Sequence, residues 1–394
     1  MGNHKKKGVI MKRRNDAFVY ISVILITLLL LSMLSVYASA TYKSKRSAGF
    51  NGKISAKASA LYEPTEGRFI YEKNGDQRMP MASTTKIMTA IVVAGQCKGD
   101  EIVIIGPESV GIEGSSAYLR EGDEYTVIEL LYALLLQSAN DAATALAYYT
   151  AGGIEEFAEL MNEEAISLGL ENTHFTNPHG LDDEDHFTTA KDLAKVGAEL
   201  MENSILKEIV STYKKTFTYG ERVRTYINHN KLLRLYDGAV GIKTGFTKRS
   251  GRCLVGAAER NGVTFISVTL DAPSDWSDHR AMLDFAFDNF ERIELCGKGD
   301  MIREVTVVDG NKPSVMISAK ENLSIIKEKC ETDIDEYLSI PRYLIAPVKK
   351  GEVVGTAYYK VGDETYKVDL VALEDVKKAS KDNIFTKILN KISK

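Results

Sequence analysis

Three short patterns of serine, lysine and asparagine can support nucleophilic catalysis. Ser83-Thr84-Thr85-Lys86 puts an amine one helical turn after a hydroxyl. A serine hydroxyl is a weak nucleophile that needs an adjacent base, and a lysine serves when burial and a second cation lower its pKa. The S-x-x-K pattern is cheap, recurring at Ser204 with Lys207, Ser211 with Lys214 and Ser324 with Lys327. Ser83 stands apart because Ile87, Met88, Ala90 and Ile91 follow it on helical spacing, which puts its hydroxyl at a predicted helix start among free backbone N–H groups. Ser138-Ala139-Asn140 and Lys243-Thr244-Gly245 add a second hydroxyl, an amide and a second amine.

The elements around these residues are legible. Residues 54–71 alternate in polarity about Glu63-Pro64-Thr65-Glu66-Gly67 and predict a hairpin. Residues 126–136, almost wholly apolar, and 141–149 predict two helices interrupted at Gln137 to Asn140, so Ser138 and Asn140 fall in the break. Further helices are expected over 154–168 and 190–201. From Ala239 the pattern becomes strand-like over 240–246, 253–259 and 264–270, with Asn261-Gly262 as a hairpin turn. A helix over 279–290 follows, then short strands with Asp309-Gly310 and Gly362-Asp363 turns to about residue 374.

S-x-x-K, S-x-N and K-T-G in this order form the signature set of penicillin-binding proteins and class A β-lactamases. The chain resembles the low-molecular-mass penicillin-binding proteins that are serine-type D-alanyl-D-alanine carboxypeptidases. The likeness extends to Leu134-Leu135-Leu136-Gln137 before Ser138, Phe175-Thr176-Asn177-Pro178-His179-Gly180-Leu181, and Asp237-Gly238 ahead of Gly241-Ile242-Lys243-Thr244-Gly245-Phe246-Thr247. It implies an α/β fold of the α+β kind, a β-lactamase/DD-peptidase-like antiparallel sheet flanked by helices with a helical subdomain, then a small all-β C-terminal domain. The expected divisions are a signal peptide or anchor (1–40), a linker (41–49), a catalytic domain (50–292), the β domain (293–375) and an amphipathic tail (376–394).

The resemblance also assigns roles. Ser83 is expected to attack the carbonyl between two D-alanines of a peptidoglycan stem pentapeptide, with Lys86 taking its proton and Ser138 protonating the leaving amine. Asn140, Lys243, Thr244, Gly245 and Phe246 are expected to bind substrate, the backbone N–H groups of Ser83 and Phe246 forming the oxyanion hole. β-Lactams are the expected covalent inhibitors, and no cofactor is implied. Some relatives carry an arginine after the final strand that assists with the substrate carboxylate. Here that stretch reads Asp275-Trp276-Ser277-Asp278-His279-Arg280, and Arg280, at a helix start, is a candidate without an unambiguous fit.

Composition narrows the reading further. The chain has 394 residues, 44% hydrophobic and 26% charged, which is ordinary globular composition for two or three folding units. Net charge is −4, but the first 40 residues carry six basic side chains against Asp16, so the remainder carries −9 and is ill suited to nucleic acid. The basic cluster, the uncharged apolar run 17–36 and Ala38-Ser39-Ala40 follow the grammar of a secretory signal, and a run of about 20 residues also suits an uncleaved anchor. Either way the body is expected to be exported, to the outer face of the membrane or beyond. Ile384, Phe385, Ile388, Leu389 and Ile392 share one helical face with lysines elsewhere, which suits an anionic membrane surface or docking on the β domain. Four scattered cysteines suggest buried thiols, and His174, His179 and His186 lack metal-site spacing.

Three rivals remain open. A β-lactamase needs a deacylating glutamate; Glu171 is the tempting one, but Ser138-Ala139-Asn140 lacks the Asp of S-D-N. A non-catalytic wall-binding protein would not need every catalytic side chain. An endopeptidase cleaving peptide cross-links would use the same acyl chemistry on an amide whose leaving group is a side-chain amine.

Overall fold

The computed structural model describes residues 49–219 and 222–379. The expected leader, residues 41–48 of the linker and the tail from residue 380 lie outside the described residues. Among the described residues no helix is long and apolar enough to cross a membrane.

The chain opens with the hairpin β1 (Ala58–Glu63) and β2 (Arg68–Lys73), then a 3₁₀ turn at Ala82–Thr85 that runs directly into α1 (Lys86–Gln96). A short ribbon, β3 (Ile102–Ile104) and β4 (Glu124–Thr126), leads to α2 (Val127–Leu136), α3 (Asn140–Ala151) and α4 (Ile154–Ser167). After an irregular stretch come α5 (Ala190–Glu202), α6 (Ser204–Ser211), the hairpin β5 (Lys214–Tyr219) and β6 (Arg222–Ile227), and the single turn α7 (Leu232–Leu235). Strands β7 (Ala239–Thr247), β8 (Gly251–Arg260) and β9 (Val263–Leu270) precede α8 (Asp275–Asn289).

One five-stranded antiparallel sheet, in the order β2-β1-β9-β8-β7, organises this part. Its two faces are both covered, which is why β8 and β9 read as near-continuous apolar runs. Val255, Ala257, Ile266 and Val268 join the core shared with the helices α1 to α6, whereas Leu254, Ala258 and Phe265 face α8. Asn261 and Gly262 both adopt positive φ, 51° and 72°, in the two-residue β8–β9 turn, as their types demand. Strand β7 closes the sheet and leaves an unpaired edge.

Helix α2 is the buried axis of the helical region. Thr126 caps it reciprocally with Glu129, and Leu130, Leu131, Leu134, Leu135 and Leu136 are buried, each worth about 1.5–3 kcal/mol. Ser138, at φ 61°, turns the chain sharply between α2 and α3. A non-glycine residue there costs on the order of 1 kcal/mol, a strain that the two packed helices sustain.

Helix α8 starts at Asp275, four residues earlier than expected. Asp278 anchors that start, because its carboxylate accepts from Ser55 N, Ser55 Oγ and Ala56 N. Cys253 and Cys296 are buried, Cys97 is half-buried and Cys330 is exposed, all as free thiols, so the expectation of uniformly buried cysteines fails at Cys97 and Cys330.

Beyond α8 the chain is all β. Strand β10 (Phe290–Cys296) pairs with β13 (Leu323–Glu328); β11 (Met301–Val308), β12 (Ser314–Ala319), β14 (Ile334–Ser339), β15 (Leu344–Ile345), β16 (Val353–Val361) and β17 (Glu364–Ala372) form a six-stranded sheet over their own apolar core. The β1–β2 turn meets β13, where Arg68 donates to Ile326 O and Glu66 accepts from Ile326 N.

Candidate active site

The edge of β7 and the turn before α1 enclose a cleft of about 360 Å³. Ser83, Ser138, Thr244, Gly245 and Phe246 line it. Gly245 is required for this approach, since a Cβ there would stand 3.1 Å from Met81 O, Ser83 N and Thr84 N.

Lys86 lies behind Ser83, fully buried. Its Nζ is 2.9 Å from Ser83 Oγ and 2.7 Å from Asn140 Oδ1, and it also meets His179 O. Burial, reinforced by the positive charge of Lys243, holds its pKa well below the ordinary lysine range. Lys243 is itself buried, its Nζ donating to Thr244 O at 2.9 Å, and burial pushes its pKa down to about 7.

Asn140 is fixed by more than Lys86, since its Nδ2 donates to Glu113 O and its backbone N to Ser115 O. Next to it, the buried Asp141 carboxylate accepts from Ser116 Oγ and from the N–H groups of Ala117 and Leu119. The loop on one side of the cleft is thereby tied to the start of α3.

The loop containing His179 and His186 supports the Ser83 turn from below. Ala82 has φ 48°, uncommon for a residue with a Cβ, and Thr85 Oγ1 donates to Ala82 O. His186 Nδ1 accepts from Thr176 N at 3.0 Å, so its Nε2 carries the proton and donates to Thr85 Oγ1 at 2.7 Å. Burial lowers its pKa to about 4, keeping it neutral. Gly180, at φ 83°, fits under this turn as only glycine can, because a Cβ would fall 2.0 Å from Ala82 O.

The structure thus joins Ser83, Lys86 and Asn140 by direct hydrogen bonds, and places Ser138, Thr244, Gly245 and Phe246 around the same cleft with Lys243 beneath it. The other S-x-x-K serines stand elsewhere. Ser211 Oγ bonds Lys207 O and Val240 O, Lys207 pairs with Glu259, and Lys327 pairs with Glu291. Arg280 turns away from the cleft to bond Leu235 O. Ser115, His229, Lys231, Arg252 and Trp276 also line the cleft and were not anticipated. They come from loops and strand ends that carry no periodic signal.

A serine bonded to a buried amine of lowered pKa at an open sheet edge is an arrangement suited to nucleophilic acyl transfer. The chain matches the D-alanyl-D-alanine carboxypeptidase family over residues 42–274 and the C-terminal domain of penicillin-binding protein 5 over residues 290–378. It is 32% identical over 336 residues to the D-alanyl-D-alanine carboxypeptidase DacF of Bacillus subtilis, covering 82% of this chain and 86% of that one. To DacC of Escherichia coli it is 33% identical over 341 residues, covering 82% and 84%. Among solved structures, penicillin-binding protein 5 from Haemophilus influenzae superposes with a TM-score of 0.66 at 30% identity, covering 83% of this chain and 99% of that chain. The chain belongs to the D-alanyl-D-alanine carboxypeptidase family. It is a serine-type peptidase with the fold of the penicillin-binding proteins.

Proposed function

We propose that Ser83 is the nucleophile, with neutral Lys86 as its base, in removal of the terminal D-alanine from peptidoglycan stem pentapeptides. The observation that carries this reading is the triple contact of Lys86 Nζ. A neutral amine that donates its two protons to Asn140 Oδ1 and His179 O turns its lone pair toward Ser83 Oγ at 2.9 Å. Ser83 Oγ bonds to the carbonyl carbon as its proton passes to Lys86. The oxyanion accepts from the backbone N–H groups of Ser83 and Phe246. As the C–N bond breaks, Ser138 passes a proton to the departing D-alanine nitrogen, leaving an acyl-Ser83 ester that water hydrolyses. Lys243 supplies positive potential, Thr244 binds the terminal carboxylate, and β-lactams enter the same sequence as covalent inhibitors.

The peptide adds along the free edge of β7, main chain to main chain. Export under the leader of residues 1–40 brings residues 50–292, the catalytic domain, to the wall precursors. The β domain of residues 293–375 follows, and the tail of residues 376–394 holds the enzyme at the membrane surface.

Measuring D-alanine release from a pentapeptide beside cleavage of a cross-linked dimer tests the reading. Release should dominate, and Ser83→Ala should abolish both release and covalent penicillin labelling. Labelling that persists and maps to Ser204, Ser211 or Ser324 rejects it, and predominant cross-link cleavage would make the protein an endopeptidase.

A further inference from the structure

We infer that Arg252, on β8, is the cation that binds the free C-terminal carboxylate of the peptide. The inference rests on the acyl-transfer reading above and adds the residue that sets its specificity for a chain end.

The position follows from strand register. Phe246 pairs with Arg252 and Thr244 with Leu254, so Arg252 and Thr244 lie on one face of the β7–β8 ribbon as diagonal neighbours. Diagonal positions are about 7–8 Å apart, within the reach of an arginine, so a carboxylate at Thr244 can accept from both. Arg252 lines the cleft together with Ser83 and Thr244.

The guanidinium is already oriented. Its Nε and Nη2 both donate to one oxygen of Asp275, at 3.0 and 2.7 Å, while the other oxygen of Asp275 accepts from Trp276 N. The Trp276 ring lies 5.8 Å from the guanidinium carbon. Asp275 is nearly buried, with 4% of its side chain accessible, whereas 46% of Arg252 is accessible. The inner edge of the guanidinium is therefore spent on a fixed anchor. The group has five N–H donors in a planar fork, so others remain for a second carboxylate arriving from the cleft. Lys231, the other lysine or arginine on the cleft wall, is exposed, and a lysine offers a point charge rather than a fork.

The test compares a peptide ending in D-Ala-D-Ala with its C-terminal amide, and benzylpenicillin with its methyl ester, using the full mature chain. Arg252→Ala should lower kcat/KM on the acid roughly 10- to 10²-fold, as expected for loss of a charge-assisted hydrogen-bonding partner, and barely change it on the amide. Acid-over-amide preference should fall toward one, and Arg252→Lys should restore part of it. Ser83 acylation by benzylpenicillin should fall likewise, acylation by the ester much less. An equal loss on acid and amide, or a preference that survives in Arg252→Ala and collapses only in Lys231→Ala, would overturn the inference. Failure of the wild type to release D-alanine would reject the carboxypeptidase reading, while the penicillin pair would still report on Arg252.

Discussion

Lys86 Nζ and Asn140 Oδ1 lie 2.7 Å apart although 54 residues separate them in the chain. The contact works because Asn140 offers an acceptor without a charge. Asn140→Asp would put an anion beside Lys86, raise its pKa and keep it protonated at neutral pH. Acylation by a β-lactam should slow and its pH profile move to the alkaline side. Stopped-flow acylation across pH checks this, and an unmoved profile would remove Lys86 as the base.

Lys86→Arg tests the same group from the other side. Arginine keeps the charge but cannot give up its proton at accessible pH. Acylation should fall about 10²–10⁴-fold, the usual contribution of a positioned base. Near-wild-type acylation in this variant would show that position 86 supplies charge alone.

Penicillin should remain attached to the enzyme. Asp275 is the one carboxylate on the cleft wall among the described residues, and it is bound to Arg252 and Trp276 N; Glu171 is exposed and absent from the lining. No carboxylate is thus placed to activate a deacylating water in the manner of a class A β-lactamase. Intact-protein mass spectrometry should show a long-lived adduct of one penicillin. Rapid turnover without an adduct would favour the β-lactamase reading.

Stability should fall on mild acidification. Burial lowers the pKa of His179 to about 3, of His186 to about 4 and of His279 to about 3. Unfolded, each takes a proton as pH falls through about 6.5. Between 6.5 and 4 the unfolded state therefore binds more protons, and the folded state loses about 2 kcal/mol per histidine by pH 5. His279 sits between Ser267 Oγ at 2.7 Å and Thr269 Oγ1 at 3.0 Å, so His279→Asn removes one such group. Its drop in Tm from pH 7 to pH 5 should be smaller than that of the wild type, and an equal drop would contradict the argument.

Residues 383–394, whose sequence alternates apolar residues with lysines, should bind an anionic membrane surface. Each lysine near such a surface is worth about 1 kcal/mol, so binding should be reversible and weakened by salt. Mature protein should sediment with anionic liposomes and lose that behaviour when the segment is deleted. Unchanged sedimentation after deletion would reject the tail as the attachment.

Sequence carried the local half of this site. The spacing of Ser83 and Lys86, the helix break at Ser138 and Asn140, and the K-T-G strand are all short-range patterns. What it hid depends on long-range register. Arg252 reaches the cleft because it pairs with Phe246 and because α8 begins at Asp275, and neither fact has a local signal. The bond between Thr85 and His186 spans 101 residues and ends in an irregular loop, where no periodicity marks which side chain points inward.

The two buried amines also govern how this enzyme can change. Lys86 and Lys243 are 0% and 1% exposed, and their hydrogen bonds go to neutral acceptors. Removing an amine from water without an ion pair is costly, and a methionine of similar length would sit in either place more comfortably. On the proposed mechanism, selection for heat resistance alone would therefore drift toward these positions and silence the enzyme. Selection for heat resistance and activity together has to find its gains at a distance, in the leucine-rich packing of α2 or the covered faces of the sheet.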